Sequence, residues 1–165
     1  MGMYCKDCKF FKSGYSSHDR GICQAKCTYE YPNQYCHLTS KEKQEKIKDF
    51  NNSNLTSAIK TCYEKPFYYV LIVTSRYVMP VGLIAIDCVS KLYPHERNEF
   101  KIKPDFITFP NGSLVRIIHQ NSTARGYRVH EVLLSDMSNT ELIQRLYPMI
   151  RDYEEEQKWW DETSL

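Results

Sequence analysis

The chain has 165 residues, a formal net charge of +2 and 42% hydrophobic residues. This composition is typical of one globular domain, or of a small module joined to a domain of roughly 120 residues. It contains no run of about 18 apolar residues and its N-terminus lacks an apolar signal-peptide core, so we expect neither a membrane span nor secretion. We therefore expect a cytoplasmic protein, in which paired cysteines bind metal more often than they form disulfides.

Five of the seven cysteines are concentrated near the N-terminus: Cys5, Cys8, Cys23, Cys27 and Cys36. Two thiolates separated by two residues can bind one metal ion from a single turn, and later cysteines can complete a tetrahedron. The surrounding segment is too poor in aliphatic residues to form a core alone, so a metal would stabilise it. The spacing leaves Cys27 and Cys36 as alternative fourth ligands. We predict structural Zn²⁺ with four thiolates and no open position, with disulfides, an iron–sulfur cluster or no cofactor as the alternatives.

The same segment resembles the short zinc-binding modules of small phage and bacterial proteins. Those modules run CxxC-x-F, then G-x-C, then a final cysteine beyond a hairpin; the matching residues here are Cys5, Cys8, Phe10, Gly21, Cys23 and Cys36. The resemblance implies that Cys36 is the fourth ligand and that Cys27 is a spare cysteine. We expect this zinc-binding module to span residues 1–38.

Residues 39–65 are predicted to form a helical connector. A capping box at Thr39 and Glu42 predicts a polar helix over about 41–50, which the asparagines at 51–54 would break. Leu55, Ala58, Ile59 and Cys62 have helical spacing and predict a second, short helix that ends before Pro66. We expect Cys62 to be a buried structural thiol.

Residues 66–165 are predicted to form an α/β (or α+β) body that ends in a helix. The apolar run Phe67–Thr74 predicts a buried, central strand. Apolar spacing from Val81 to Leu92 favours a helix over about 80–93, with a strand over 81–89 as the alternative. Segments 105–109 and 114–119 flank Asn111-Gly112 and predict a hairpin.

The remaining elements complete the order β-α-β-β-β-α. Residues 129–134 predict a further strand, and a capping box at Ser138 and Glu141 predicts a helix running towards Trp160 with a break at Pro148. This order suits a mixed sheet with helices packed on it.

Four segments of the body occur in an order and at spacings that match a known core: Val70–Arg76, Phe109–Arg116, Ala124–Gly126 and Val132–Asp136. They resemble the nucleotide-hydrolase core of phage large terminases and helicase-type ATPases. The resemblance places Asp136 where that family has its magnesium-binding acid. However, the chain has no GxxxxGK[ST] phosphate loop, and Met137 stands where the family has a catalytic glutamate. The resemblance therefore implies a degenerate core kept for binding, and we predict no catalytic residues.

Three other groups of residues are candidates for function. A basic patch is predicted around the hairpin and the Arg-Gly loop, formed by Lys101, Lys103, Arg116, Arg125 and Arg128. Trp159 and Trp160, in an acidic C-terminal segment, are candidates for docking a partner. His119 and His130, on strands predicted to be adjacent, could form a metal-dependent nuclease site with Asp136.

Together these features predict a non-enzymatic, zinc-containing binding protein that acts on nucleic acid or on a nucleic-acid-processing protein complex. The two resemblances suggest that it is encoded by a phage or mobile element, which would place it in the host cytoplasm. The alternatives are a protein-binding inhibitor or decoy of a host protein, of the anti-defence type, and the nuclease. We expect no membrane and no small-molecule substrate among its partners.

Overall fold

The computed structural model describes residues 3–4, 11–12, 21–23, 28–30, 35–36, 40–122 and 127–163. Five short strands precede residue 40: β1 (Met3–Tyr4), β2 (Phe11–Lys12), β3 (Gly21–Cys23), β4 (Thr28–Glu30) and β5 (Tyr35–Cys36). The next elements are α1 (Ser40–Glu45), β6 (Ile47–Asp49), α2 (Asn52–Glu64), β7 (Tyr69–Thr74), α3 (Val78–Leu92) and a 3-10 turn (Arg97–Glu99). The last are β8 (Lys101–Lys103), β9 (Phe106–Thr108), β10 (Leu114–His119), β11 (Glu131–Leu134), α4 (Thr140–Leu146), a 3-10 turn (Tyr147–Met149) and α5 (Tyr153–Thr163).

The chain divides into two compact units, each made of segments that are separate in the sequence. The first comprises Met1–Lys46, Arg125–Arg128 and Glu141–Leu165. The second comprises Ile47–Ala124 and Val129–Thr140. The boundaries predicted near residues 38 and 65 stay predictions, and the predicted zinc module falls largely outside the described residues.

The second unit is built on a six-stranded mixed sheet in the order β6-β11-β7-β10-β9-β8. Strands β6, β11, β7 and β10 are parallel, whereas β9 and β8 continue the sheet as antiparallel strands. The predictions of an α/β fold and of a central strand in the Phe67–Thr74 run are confirmed. The hairpin of β9 and β10 is confirmed as well.

The core of this unit lies between the sheet and helices α2 and α3. Leu55, Ile59 and Cys62 of α2 are fully buried there, as are Ala85 and Val89 of α3. From the sheet, alternate residues of each strand point into the same cluster, among them Val70, Ile72, Ile107, Val115, Ile117 and Leu133. Helix α3 forms where helical spacing predicted it, and the alternative strand over 81–89 is wrong.

The prediction of a single helix over 41–50 is wrong. Helix α1 ends at Glu45, and Ile47–Asp49 form strand β6, which pairs in parallel with β11. Ile47 is buried whereas the next two residues are exposed. Pairing with a neighbouring strand and burial of a β-branched side chain outweigh the weak helical preference of this polar segment. The short edge strand β8 was not predicted either, because sequence periodicity did not indicate it.

In the first unit, the described strands form two small antiparallel sheets, β1-β5 and β2-β3-β4. Lys43 of α1 is buried, and its ammonium donates a hydrogen bond to the Tyr147 carbonyl at 3.0 Å. The Tyr147 hydroxyl donates to Gln44 Oε1 at 2.6 Å. The predicted break at Pro148 is confirmed by the 3-10 turn between α4 and α5. Within the described part of the chain, no helix combines the length and apolarity needed to cross a bilayer.

Candidate nucleic-acid interface

Three strands carry a row of basic and aromatic residues on one face of the sheet. Phe106 of β9 pairs with Lys103 of β8 on one side and with Arg116 of β10 on the other. Residues that face each other across neighbouring strands project from the same side of a sheet. Lys101, two residues before Lys103, shares that side. We call Lys101, Lys103, Phe106 and Arg116 the basic–aromatic row.

The row lies on the face of the sheet opposite helices α2 and α3. The residues that alternate with it, Ile102, Ile107, Val115 and Ile117, point into the core beneath those helices. Sequence reasoning placed Lys101, Lys103 and Arg116 in one basic patch, and the structure brings these three together. It did not single out Phe106, although alternation with the buried Ile107 was a signal that the ring faces outward.

Both cations flanking Phe106 lie over its ring. Lys103 Nζ is 5.2 Å from the ring centroid, and Arg116 Cζ is 5.7 Å from it. A contact of this kind at an exposed site contributes about 0.5–1 kcal/mol. Lys101 and Lys103 are exposed, and Phe106 and Arg116 are half-buried. The arrangement places two positive charges against one half-buried aromatic ring.

Two other predicted basic residues are not placed in this row. Arg125 lies outside the described residues, and Arg128 is exposed but belongs to the other compact unit. Trp159 and Trp160 are in α5, and their side chains fall outside the described part of the structure.

The three residues of the predicted nuclease site are not brought together. Strand β7 separates β10 from β11, so the expectation that His119 and His130 lie on adjacent strands is wrong. His119 pairs with Thr74 at the end of β7, whereas the His130 amide donates to the Tyr69 carbonyl at its start. Five residues of strand correspond to roughly 16 Å.

His130 and its neighbour Glu131 are both buried. His130 Nδ1 accepts a hydrogen bond from the Tyr69 amide at 3.0 Å. The Glu131 carboxylate accepts from the Tyr68 hydroxyl at 3.1 Å and forms an ion pair with Lys48 at 3.0 Å. These partners give both residues structural roles.

Asp136 follows β11 at the carboxyl edge of the parallel strands. Its Oδ1 accepts hydrogen bonds from the Ser138 amide at 3.1 Å and from the Ser138 hydroxyl at 2.5 Å. This is a local turn, and it uses the hydroxyl that was expected to cap the next helix. Helix α4 begins two residues later, at Thr140. Nearby, Ser135 Oγ accepts from the Ser75 amide at 2.9 Å.

The structure describes the backbone of two of the predicted zinc ligands. Cys5, Cys8 and Cys27 lie outside the described residues, whereas Cys23 ends β3 and Cys36 ends β5. Cys23 pairs with Phe11, three residues after Cys8, and Cys36 pairs with Met3, two residues before Cys5. The described residues contain no group of three or more His, Cys, Asp or Glu side chains suited to a metal.

Comparisons with known proteins add no relative. No protein-family model, curated protein or solved structure matches this chain. The resemblances to short zinc modules and to a terminase-like core therefore stay predictions.

Proposed function

We propose that this protein is a non-enzymatic binding protein that contacts nucleic acid through the basic–aromatic row. The observation that carries the proposal is the cross-strand alignment of Lys103, Phe106 and Arg116, with two cations over one ring. Sequence-independent nucleic-acid binding combines positive charge for the phosphates with aromatic rings on which bases stack. The row supplies both on one face of a rigid sheet.

The row fits single-stranded nucleic acid better than a duplex. A base can stack on the Phe106 ring only if it is unpaired and free to turn outward, whereas the bases of a duplex are stacked on one another. Stacking also requires that the Lys103 or the Arg116 side chain leaves the ring, over which each of them lies, and turns to a phosphate. Lys103 and Arg116 lie on the strands next to that of Phe106, one on each side. From there they are close enough to contact the phosphates on either side of the stacked base. Binding of this kind is tolerant of sequence.

Structural zinc in the N-terminal segment is the second part of the proposal. The backbone pairings support it because Cys23 and Cys36 are each paired with a residue close in sequence to the Cys5-x2-Cys8 pair. Four thiolates would hold the ion and stabilise a segment that lacks a core of its own. Elemental analysis tests this: about one zinc per chain, with four thiols released on chelation, is the expected result. No metal and few free thiols would overturn it.

The nucleic-acid proposal is tested by fluorescence anisotropy with a labelled single strand of mixed sequence. Two double variants change the net charge equally: Lys101→Gln/Lys103→Gln on the row, and Lys60→Gln/Lys91→Gln on the exposed faces of α2 and α3. We expect the row variant to lose about tenfold in affinity and to show a shallower salt dependence, because each lost phosphate contact lowers the slope by about 0.7. The control variant keeps nearly wild-type affinity.

Phe106 separates base stacking from charge alone. Lysines on an edge strand also prevent pairing with another chain, so their presence has a second explanation. Phe106→Leu keeps an apolar side chain but removes the stacking surface, and we expect it to cost about 1–3 kcal/mol of binding free energy. If the two double lysine variants lost affinity equally and Phe106→Leu had no effect, binding would depend only on net charge and not on the basic–aromatic row. A steep loss of affinity with salt would also distinguish nucleic-acid binding from docking of a host protein through an apolar surface.

A further inference from the structure

Helix α3 exposes an apolar surface at its N-terminal half. The side chains that form it, together with Pro80, are Tyr77 (85% exposed), Met79 (61%), Leu83 (58%) and Ile84 (46%). Isolated apolar residues are common on protein surfaces, but a contiguous patch usually marks an interaction site. We call Tyr77, Met79, Pro80, Leu83 and Ile84 the α3 stripe.

The stripe lies on the side of α3 that faces away from the core. Val81, Ala85 and Val89 point into the core beneath the helix. The stripe lies on the opposite side of the same helical turns. It does not continue along the whole helix. The same outer side carries Asp87 and Lys91 in the C-terminal half, where their side chains form an ion pair at 2.9 Å.

Two opposite charges border the stripe. Arg76 is exposed two residues before the helix begins, and Asp87 is exposed one turn after Ile84. Arg76 therefore precedes Asp87 by 11 residues, of which the helical part, from Val78 to Asp87, spans about 14 Å. Asp87 Oδ2 is already paired with Lys91 of the same helix, so an arginine from a second copy would meet the other carboxylate oxygen, Oδ1. In an antiparallel pair of identical helices, each positive end faces the partner's negative end.

We infer that the α3 stripe binds the α3 stripe of a second copy of this chain. With the two-fold axis passing between Val81 and Gly82, Arg76 of one copy faces Asp87 of the other. The same axis places Met79 against Ile84 and Pro80 against Leu83 across the interface. In this one register the α3 stripe and the charges that border it are both self-complementary. This favours a second copy of the chain over an unrelated partner. A parallel pair would instead place Arg76 beside Arg76.

The inferred dimer is weak, and it is independent of the proposed nucleic-acid site. A patch of this kind covers a few hundred Å², less than the roughly 800 Å² per partner of a standard interface. We therefore expect a transient dimer that forms only at high protein concentration. The basic–aromatic row lies on the opposite face of the sheet from α3, so the dimer leaves it uncovered. The test of dimerisation and the test of nucleic-acid binding can therefore fail independently of each other.

Sedimentation velocity of the full chain over a concentration series tests the inference. Wild type is expected to shift from monomer to dimer with concentration, and Leu83→Glu is expected to raise the dimer Kd by about tenfold or more, because it places a charge in the apolar contact. Leu83 is exposed, so the variant is expected to stay folded, which circular dichroism checks. A wild-type chain that stays monomeric, or a dimer that Leu83→Glu leaves unchanged, would overturn the inference.

Charge exchange tests the antiparallel register. Arg76→Glu alone and Asp87→Arg alone each create two like-charge contacts in the inferred homodimer, so each is expected to dimerise less than wild type. An equimolar mixture restores both opposite-charge contacts, and a heterodimer is expected to form. Lys60→Glu and Glu64→Arg are the matched controls, since they make the same charge changes on exposed sites of α2. Failure of the mixture to associate better than either variant would overturn the proposed pairing.

Discussion

Gly82 of α3 lies directly against the main-chain carbonyl of Pro104, so that a Cβ atom placed on this glycine would be 1.8 Å from the carbonyl oxygen. Pro104 belongs to the turn between β8 and β9. Helix and turn therefore meet backbone to backbone, at a point where no side chain fits. This contact places the β8–β9 turn, which Lys103 precedes and Phe106 follows, directly against α3.

Gly82→Ala is expected to destabilise the protein, although alanine is the better helix former by about 1 kcal/mol. Neither the helix nor the Pro104 carbonyl can move without disturbing its neighbours, so we expect a net loss of about 2–3 kcal/mol in the free energy of unfolding. Urea unfolding followed by circular dichroism measures it. Lys60→Ala, an exposed change in α2, is the control and should lie within about 0.5 kcal/mol of wild type. Unchanged or increased stability of Gly82→Ala would show that the close approach is not rigid.

Ser113 joins the hairpin turn to the segment between α2 and β7. Its side chain is fully buried; the hydroxyl donates to the Lys65 carbonyl at 2.6 Å and accepts from the Tyr68 amide at 3.0 Å. Ser113→Ala removes a partner from both backbone groups, and we expect a loss of about 2 kcal/mol. The exposed Ser57→Ala in α2 serves as the matched control. Comparable unfolding midpoints for the two variants would rule out this role for the hydroxyl.

The buried thiol of Cys62 is expected to make the second unit less stable at alkaline pH. Burial, with a smaller contribution from the Glu131 carboxylate, raises the pKa of the Cys62 thiol well above its ordinary value. The folded chain therefore holds this proton more tightly than the unfolded chain does. The stabilisation is complete below the unfolded-chain pKa of about 8.5 and is lost as pH rises above it.

We therefore expect the wild-type unfolding midpoint to fall between about pH 8.5 and 10 more steeply than that of Cys62→Ala, because only the wild type must expose this thiol to ionise it. Urea titrations at a series of pH values measure the difference. Thr61→Ala, a non-titrating change on the same helix, should keep the wild-type slope. Parallel pH dependences for wild type and Cys62→Ala would contradict the assignment to this thiol.

Chelation of the proposed zinc is expected to affect the two units unequally. The N-terminal strands lie in one unit, whereas β7 and β10 form the centre of the sheet in the other. In hydrogen exchange with a strong chelator, we expect protection to fall around Cys23 and Cys36 while β7 and β10 remain protected. A Cys5→Ser variant is expected to reproduce the pattern without chelator. Simultaneous loss of protection in the sheet would show that the metal stabilises the whole chain.

Several elements were predictable because local signals and the final packing agree. The run from Phe67 to Thr74 is apolar on both faces, and only a central strand buries both faces. The 3.6-residue spacing after Pro80 identified α3, and the Asn111-Gly112 pair identified the hairpin, where Gly112 adopts a positive φ of 88°. The basic side chains of the row were predictable from their clustering around that hairpin, and Phe106 from alternation.

Other features have no local signal. Strand β6 is only three residues long and forms because β11 offers it an edge. The order of the strands puts β7 between His119 and His130, and no pattern within either strand encodes that order.

The sequence by itself determined the class of fold, the central strand, the hairpin and the concentration of cysteines, because periodicity, turn chemistry and spacing are properties of neighbouring residues. Only the tertiary structure decided that Lys103, Phe106 and Arg116 share a row and that the outer side of α3 stays uncovered. These features depend on strand order and on which helix face meets the core, and both follow from contacts between residues far apart in the chain.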